Sequence, residues 1–197
     1  MFEVRIHGRG GQGVVTAAEL LSVAAFAGGR HAQAFPTFGS ERTGAPVVSF
    51  VRVSEMPIRS REPVAEPDAL IVQDTTLLHQ VDVFGGLKPS GYVLLNSTRD
   101  LAGLGLGELR ERLPAGHVVT VPATALALEH VGRPVPNVPL LGAFAAMTGL
   151  VELDALVAAL HERFPASVAA RNAVAARAAH DLLTATTTGG VVSAQTG

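Results

Sequence analysis

The sequence contains no cysteine and no tryptophan among its 197 residues. The absence of cysteine excludes disulfide bonds, thiolate catalysis, cysteine-ligated zinc and the ligation of an iron–sulfur cluster by this chain. Charged residues are also scarce, at 16% of the sequence, whereas about 25% is ordinary for a soluble domain. Two explanations of the low charge stay open: an alanine-rich composition, or a surface that is partly covered by partner subunits.

A strong excess of charge of either sign is lacking too. The formal net charge is −2, which gives no electrostatic case for binding nucleic acid or an anionic membrane. The longest apolar run, Val138 to Val151, is interrupted by glycines and is too short to span a bilayer. The sequence opens directly into a predicted strand, without the basic and apolar regions of a signal peptide. We therefore expect a cytoplasmic protein with no nucleic acid and no membrane among its partners.

Strands are predicted where the sequence is apolar over a short run or alternates between apolar and polar residues. A turn at 54–57 favours 58–61 as a strand that returns antiparallel to the one before it, forming a hairpin. The other predicted strands are 2–7, 31–35, 47–53, 68–73, 91–96 and 117–121.

Helices are predicted between these strands and, beyond residue 122, in an uninterrupted series. The alternation indicates an α/β class: a three-layer α/β/α, Rossmann-like domain with a mainly parallel sheet, an antiparallel hairpin and a helical C-terminal part. Residues 1–183 are predicted as one domain, and 184–197 have the composition of a disordered tail. The predicted helices are 12–27, 75–81, 106–113, 123–131, 139–148, 153–164 and 166–183.

Four glycines fall within positions 8–13, between the first strand and the first helix. A strand that turns into a helix through glycines presents bare backbone N–H groups at the helix N-terminus, where the helix dipole also favours an anion. Gly8, Gly10 and Gly13 match the G-x-G-x-x-G dinucleotide spacing. The match lacks the acidic residue expected after the second strand, because residues 30–36 contain none. A turn without a ligand, a phosphate loop and a subunit contact stay open.

Residues 36–46, PTFGSERTGAP, form a predicted loop that is long for a connection between strands. Long loops often bind a ligand or a partner. The alternative is a solvated Glu41–Arg42 pair and two phenylalanines, Phe35 and Phe38, that anchor the loop to the core. Arg42 and the nearby arginines of 52–61 are candidates for coenzyme phosphates or for a solvated strand edge.

Polar residues follow two predicted strands at the edge where α/β proteins bind ligands. Asp74 follows one of these strands and Asn96-Ser97-Thr98 follows the next, and either group is equally suited to capping a helix. The seven histidines show no metal-ligand spacing, and no serine has the context of a nucleophile elbow. His7, beside the glycines, is more typical of a packing residue. We predict no catalytic residue and no metal ligand in this chain.

Four stretches of the sequence resemble the gamma subunit of pyruvate:ferredoxin oxidoreductase (pyruvate synthase), a domain that also occurs in the wider 2-oxoacid:ferredoxin oxidoreductase family. The resemblance runs in order from about residue 2 to residue 183. The second stretch resembles the pyruvate and branched-chain enzymes more than the indolepyruvate type. The stretches are HGRGGQGVVTAAELL, AQAFPTFGSERTGAPVVSFVRVS, IVQD and GRPVPNVPLLGAFAAMTGLV.

The resemblance implies one subunit of an oxidoreductase that converts pyruvate, coenzyme A and oxidised ferredoxin to acetyl-CoA, carbon dioxide and reduced ferredoxin. It implies thiamine diphosphate, Mg²⁺ and 4Fe–4S clusters on partner subunits, because this chain lacks cysteine and the thiamine-diphosphate signature. The implied partners are alpha, beta and ferredoxin-like delta subunits and an external ferredoxin, and the isolated chain is expected to be inactive. The residues expected to face the coenzyme are Gly8, Arg9, Gly10, Gly11, Gln12, Gly13, Thr37, Phe38, Gly39, Ser40, Glu41, Arg42 and Asn137.

Other functions stay open at this point. The chain is alternatively a stand-alone nucleotide- or coenzyme A-binding module, a self-contained NADP-dependent reductase, or a gamma subunit for another 2-oxoacid, such as 2-oxoisovalerate or 2-oxoglutarate.

Overall fold

A computed structural model describes residues 1–37 and 43–192, the last six of these by their backbone alone. Its centre is one six-stranded sheet with the strand order β2-β3-β1-β4-β5-β6. The strands are β1 (Phe2–Arg9), β2 (His31–Pro36), β3 (Pro46–Ser54), β4 (Ala69–Val72), β5 (Tyr92–Asn96) and β6 (Val118–Val121).

Four strands, β1, β4, β5 and β6, run parallel, and β3 pairs antiparallel with both β1 and β2. The predicted α/β class and mainly parallel sheet are confirmed. The hairpin is a different one from that predicted, because β3 pairs with the preceding strand, in register from His31↔Ser54 to Pro36↔Ser49. The segment 58–61 is not a strand. Its arginines are exposed and it offers no apolar face to a sheet.

Helices cover one face of the sheet. Their apolar sides pack on inward residues of β1, β3 and β4, including Ile6, Val51 and Ile71, each of which is fully buried. The helices are α1 (Val14–Ala27), α3 (Ala123–Val131), α4 (Asn137–Thr148), α5 (Leu153–Arg163) and α6 (Ala166–Val192), and α6 extends beyond the predicted end at Leu183. The prediction of a disordered tail over 184–197 stays a prediction.

A second, smaller apolar cluster covers the opposite face of β4 and β5. There Leu70, Val72 and Leu95 pack against Leu77 and Leu113. Leu77 belongs to a short 3₁₀ helix, Thr75–His79, where an α-helix was predicted, and Leu113 follows α2 (Gly107–Arg112). These two short helices complete the third layer of the α/β/α arrangement.

The C-terminal helices cross at very short range. A Cβ added at Gly142 of α4 would lie 2.1 Å from the carbonyl oxygen of Ala176 on α6. Glycine is therefore required at this crossing, which packs α4 closely against α6. Asn137, at the start of α4, reaches Gly13 just before α1. Among the described residues, no helix combines the length and apolarity that crossing a membrane requires.

Candidate functional site

The predicted glycine loop, Gly8 to Gly13, connects β1 to α1 at the edge where the parallel strands end. Gly11 (φ 94°) and Gly13 (φ 71°) adopt left-handed backbone conformations, which glycine reaches without strain. A Cβ at Gly8 would lie 2.6 Å from Cγ2 of Val14. The glycines therefore serve both the turn and the close approach of the strand to the helix.

The N-terminus of α1 has no internal cap. Gly13 is the N-cap residue and has no side chain with which to cap the helix, and the first turn contains no acidic residue. Within the described residues, no acceptor meets the N–H groups of Gly11, Gly13, Val14, Val15 and Thr16. The open donors line a shallow groove of about 300 Å³ that runs past Val47. Such a row of donors at a positive helix end binds an anion.

The loop between β2 and β3 meets the glycine loop at its base. Gly10 donates from its N–H to Ala45 O at 2.9 Å, and Gly44 donates from its N–H to Gly10 O at 3.1 Å. Thr37, on the other side of this loop, donates from both its N–H and its Oγ1 to Val48 O. The two stretches singled out from the sequence are therefore neighbours. The predicted site residues Phe38, Gly39, Ser40, Glu41 and Arg42 lie outside the described residues.

The guanidinium of Arg9 makes four hydrogen bonds. Its Nε donates to Asp74 Oδ2 at 3.1 Å and its Nη1 to Gly44 O at 3.0 Å. Its Nη2 donates to Thr76 Oγ1 at 2.7 Å and to Gln80 Oε1 at 3.0 Å. Arg9, which the sequence predicts to face the coenzyme, thus has most of its donors directed into the protein.

The side chains of Gln12 and Asp74 also form their hydrogen bonds within the protein. Gln12 accepts from the N–H of Arg9 at 2.8 Å and donates to Asp74 Oδ2 at 3.0 Å. Asp74 caps the 3₁₀ helix by accepting from Thr76 N–H at 3.0 Å. Burial by itself would raise the pKa of Asp74, but hydrogen bonds from Thr76 and Gln12 and the charge of Arg9 hold the pKa below its ordinary value. Of the two interpretations of Asp74, helix capping is the one confirmed.

Asn137 joins the glycine loop from a distant part of the sequence. Its Nδ2 donates to Gly13 O at 3.2 Å, and its Oδ1 accepts from the N–H of Val138 at 2.9 Å. A Cβ at Gly13 would collide with this Nδ2. The buried amide therefore supports the loop from beneath, and its own polar atoms are engaged.

Asn96 behaves similarly at the next strand end. Its Nδ2 donates to Gln73 O and to Thr124 Oγ1, each at 2.8 Å, and its Oδ1 accepts from Thr124 N–H. It thereby ties β5 to β4 and caps α3. Ser97 and Thr98 line a neighbouring polar groove of about 270 Å³.

Two residues near the loop have polar atoms that find no partner among the described residues. Gln73, 1% exposed, has neither amide atom hydrogen-bonded, and its Oε1 lies beneath Gly8. His7, 5% exposed, has both ring nitrogens without a partner. Desolvation, with a smaller contribution from the charge of Arg5 and against the opposing charge of Asp82, lowers the pKa of His7 to about 4. Gln73 stands in the IVQD stretch, but no sequence pattern gave it a role, and its position at a strand end is the one signal that pointed to it.

In the described ranges, 1–37 and 43–192, no three histidine or carboxylate side chains come together as a metal site. The site therefore offers backbone donors and a network of side chains, Arg9, Gln12, Asp74 and Asn137, that bond to one another or to the backbone. Its geometry suits the binding of an anionic group and supplies no acid–base pair.

Comparisons with known proteins identify the family and the fold of this chain. The model of the family "Pyruvate ferredoxin/flavodoxin oxidoreductase" matches residues 3–182. The pyruvate synthase subunit PorC of Methanothermobacter thermautotrophicus is 49% identical, covering 92% of this chain and 95% of the relative. The common gamma subunit of the pyruvate/ketoisovalerate oxidoreductases of Thermococcus kodakarensis is 45% identical, covering 91% and 95%. The crystal structure of the pyruvate oxidoreductase subunit PORC of Thermotoga maritima matches with a TM-score of 0.76 at 35% identity, covering 91% and 95%.

Proposed function

The chain belongs to the pyruvate ferredoxin/flavodoxin oxidoreductase family as a gamma-type subunit, and we propose that it serves the coenzyme A side of a 2-oxoacid:ferredoxin oxidoreductase. Membership confirms the resemblance drawn from the four sequence stretches. The proposed overall reaction joins the acyl group of pyruvate to coenzyme A, releases carbon dioxide and passes the electrons to oxidised ferredoxin.

One observation carries this proposal: the row of open N–H donors at the start of α1. Coenzyme A presents phosphate groups, and an uncapped helix N-terminus attracts a phosphate through its donors and its dipole. The residues that carry these donors, Gly11 and Gly13 to Thr16, line the groove together with Arg9, and no acceptor among the described residues meets their N–H groups. The neighbouring loop, through Thr37 and the residues 38–42, is proposed to complete the contact.

The other parts of the reaction are assigned to partner subunits. Thiamine diphosphate with Mg²⁺, on a partner, supplies the stabilised carbanion chemistry that decarboxylation of a 2-oxoacid requires. The sequence contains no cysteine to ligate iron–sulfur clusters. The role of this chain is to hold coenzyme A with its thiol directed toward that centre, and it needs no catalytic side chain of its own for this.

We propose pyruvate as the 2-oxoacid and place its recognition on another subunit. The Thermococcus relative is, by its name, common to a pyruvate and a ketoisovalerate oxidoreductase. A gamma subunit shared in this way does not choose between the two acids. The chain would thus serve 2-oxoisovalerate equally well beside a different partner.

Purification of the tagged chain from its own host tests the proposal. We expect alpha, beta and ferredoxin-like delta subunits to accompany it, and the preparation to form acetyl-CoA from pyruvate only when coenzyme A and an electron acceptor are present. A chain that purifies alone and still binds coenzyme A saturably would instead be the stand-alone module. A chain that saturably binds NADP would contradict the proposal.

A further inference from the structure

The guanidinium of Arg9 is a group that binds phosphates, but its hydrogen bonds within the protein restrict its movement and occupy its donors. A guanidinium offers five N–H donors, and protein acceptors occupy four of those of Arg9. Both donors on Nη2 are used, and the ion pair with Asp74 restrains Nε. The carboxylate of Asp74 compensates the charge of Arg9. The two side chains are similarly buried, with 20% of Arg9 and 17% of Asp74 exposed.

The partners of Arg9 form a closed ring. Arg9 N–H donates to Gln12, Gln12 donates to Asp74, and the Arg9 side chain donates to the same carboxylate oxygen. Thr76 satisfies the other carboxylate oxygen from its N–H and its hydroxyl. Each bond to a charged group is stronger than a neutral one and tolerates little displacement. The ring therefore fixes the Arg9 guanidinium relative to β4 and to the glycine loop.

One of the four occupied donors of this fixed group reaches the β2–β3 loop. Arg9 Nη1 holds Gly44 O, while the adjacent residues 44 and 45 hydrogen-bond to Gly10 by their backbones. We infer that Arg9 is a positioning residue: a latch, made of Arg9, Gln12 and Asp74, that fixes the base of the 37–45 loop against the glycine loop. This inference rests on the proposed function, since the two loops are the ones that we propose to contact coenzyme A.

Replacing Arg9 with lysine distinguishes a residue that positions the loop from one that contacts a phosphate directly. Lysine keeps the positive charge but is a point donor that lacks the planar fork. It cannot reach Asp74, Gly44, Thr76 and Gln80 at once. If Arg9 contacts a phosphate directly, Arg9→Lys keeps much of the strength of that contact. If Arg9 positions the loop, the same substitution breaks the hydrogen bonds that hold Gly44 in place.

Kinetics of the assembled enzyme test the latch. We expect Arg9→Lys and Asp74→Asn each to raise the KM for coenzyme A about tenfold, as loss of a charge-assisted bond does. The double variant should be no worse than either single one, because both break the same unit. The KM for the 2-oxoacid should stay within about twofold.

The matched control is Arg30→Lys. Arg30 also bonds a carboxylate, that of Glu55, and a carbonyl, Leu150 O, but it lies beyond the other end of α1.

Two kinetic results would overturn the inference. One is a KM for coenzyme A that Arg9→Lys leaves within about twofold of the parent. The other is a double variant whose effect equals the product of the single effects, which would mean that Arg9 and Asp74 act independently.

Amide hydrogen exchange decides the same question without coenzyme. Peptides covering 43–46 should exchange faster in Arg9→Lys than in the parent or in Arg30→Lys, because the bonds to Gly10 loosen. Equal exchange in all three would refute the latch. Exchange is measured on the chain as it purifies, alone or in a complex. The latch can therefore be refuted while the formation of acetyl-CoA still supports the proposed function. Conversely, if the chain purifies alone and its Arg9→Lys variant exchanges faster than the parent, the proposed function is refuted and the latch is not.

Discussion

Acid should destabilise this protein through His7, and replacing that residue should remove the effect. The imidazole lies 5% exposed on β1, its ring nitrogens have no partner among the residues that the structure describes, and burial lowers its pKa from 6.5 to about 4. Arg5 adds to this depression and Asp82 opposes it. In the unfolded chain His7 takes up a proton near its ordinary pKa, whereas in the folded chain it stays neutral until the pH is much lower.

The sign and size follow from proton linkage. Between pH 6.5 and about 4 the unfolded state binds more protons at His7, so the free energy of unfolding falls as the pH falls. The difference of about 2.5 pKa units corresponds to at most about 3.4 kcal/mol. About 2 kcal/mol of this should be lost between pH 7 and pH 5. Stability from His7 is therefore intact above its unfolded pKa and is lost in weak acid.

Urea unfolding at pH 7 and pH 5 measures the effect. His7→Leu should reduce the loss on acidification by about 2 kcal/mol relative to the parent. At pH 7 it should leave stability close to that of the parent, because it removes two buried nitrogens that have no hydrogen-bond partner in the described part of the chain. His161→Gln, at an exposed position on α5, is the matched control and should keep the parent's pH dependence. An equal loss in the parent and in His7→Leu would refute the reasoning.

Two substitutions of glycine should separate backbone strain from steric collision in thermal unfolding. Gly11→Ala meets no atom of the described residues within 4 Å but keeps a φ of 94°, so it should cost only about 1 kcal/mol of stability. Gly142→Ala would collide with the backbone of Ala176 and should cost about 3 kcal/mol or more, since two helices must separate. Equal losses in the two variants would contradict the assignment of close packing to Gly142.

Local sequence signals predicted the elements well but not their distant pairing. The glycines and the alternating residues before them placed β1, the loop and α1 almost correctly. The hairpin was wrong, because the β-branched run 47–53 has no local mark of its partner. It pairs on one side with β1, whose Phe2 lies opposite Val53, and on the other with β2.

The site was predictable as segments and not as contacts. The glycine loop and the 37–45 loop were both singled out, but nothing in their spacing shows that Gly10 bonds to residues 44 and 45. The partners of Arg9 and Gln12 are also distant in sequence, with Asp74 65 residues from Arg9. Side-chain type alone therefore favoured phosphate contacts for Arg9, while the fold assigns its donors to the protein.

The most direct test of the account changes the charge at the open end of α1. Thr16 is the third residue of α1 and its N–H has no acceptor among the described residues. A glutamate at this position interacts favourably with the helix dipole, so Thr16→Glu should keep or raise the thermal stability. In the assembled enzyme it should raise the KM for coenzyme A about tenfold relative to the neutral Thr16→Gln, because it repels the phosphate. Equal KM values for coenzyme A in the two variants would contradict the claim that this helix end binds the coenzyme.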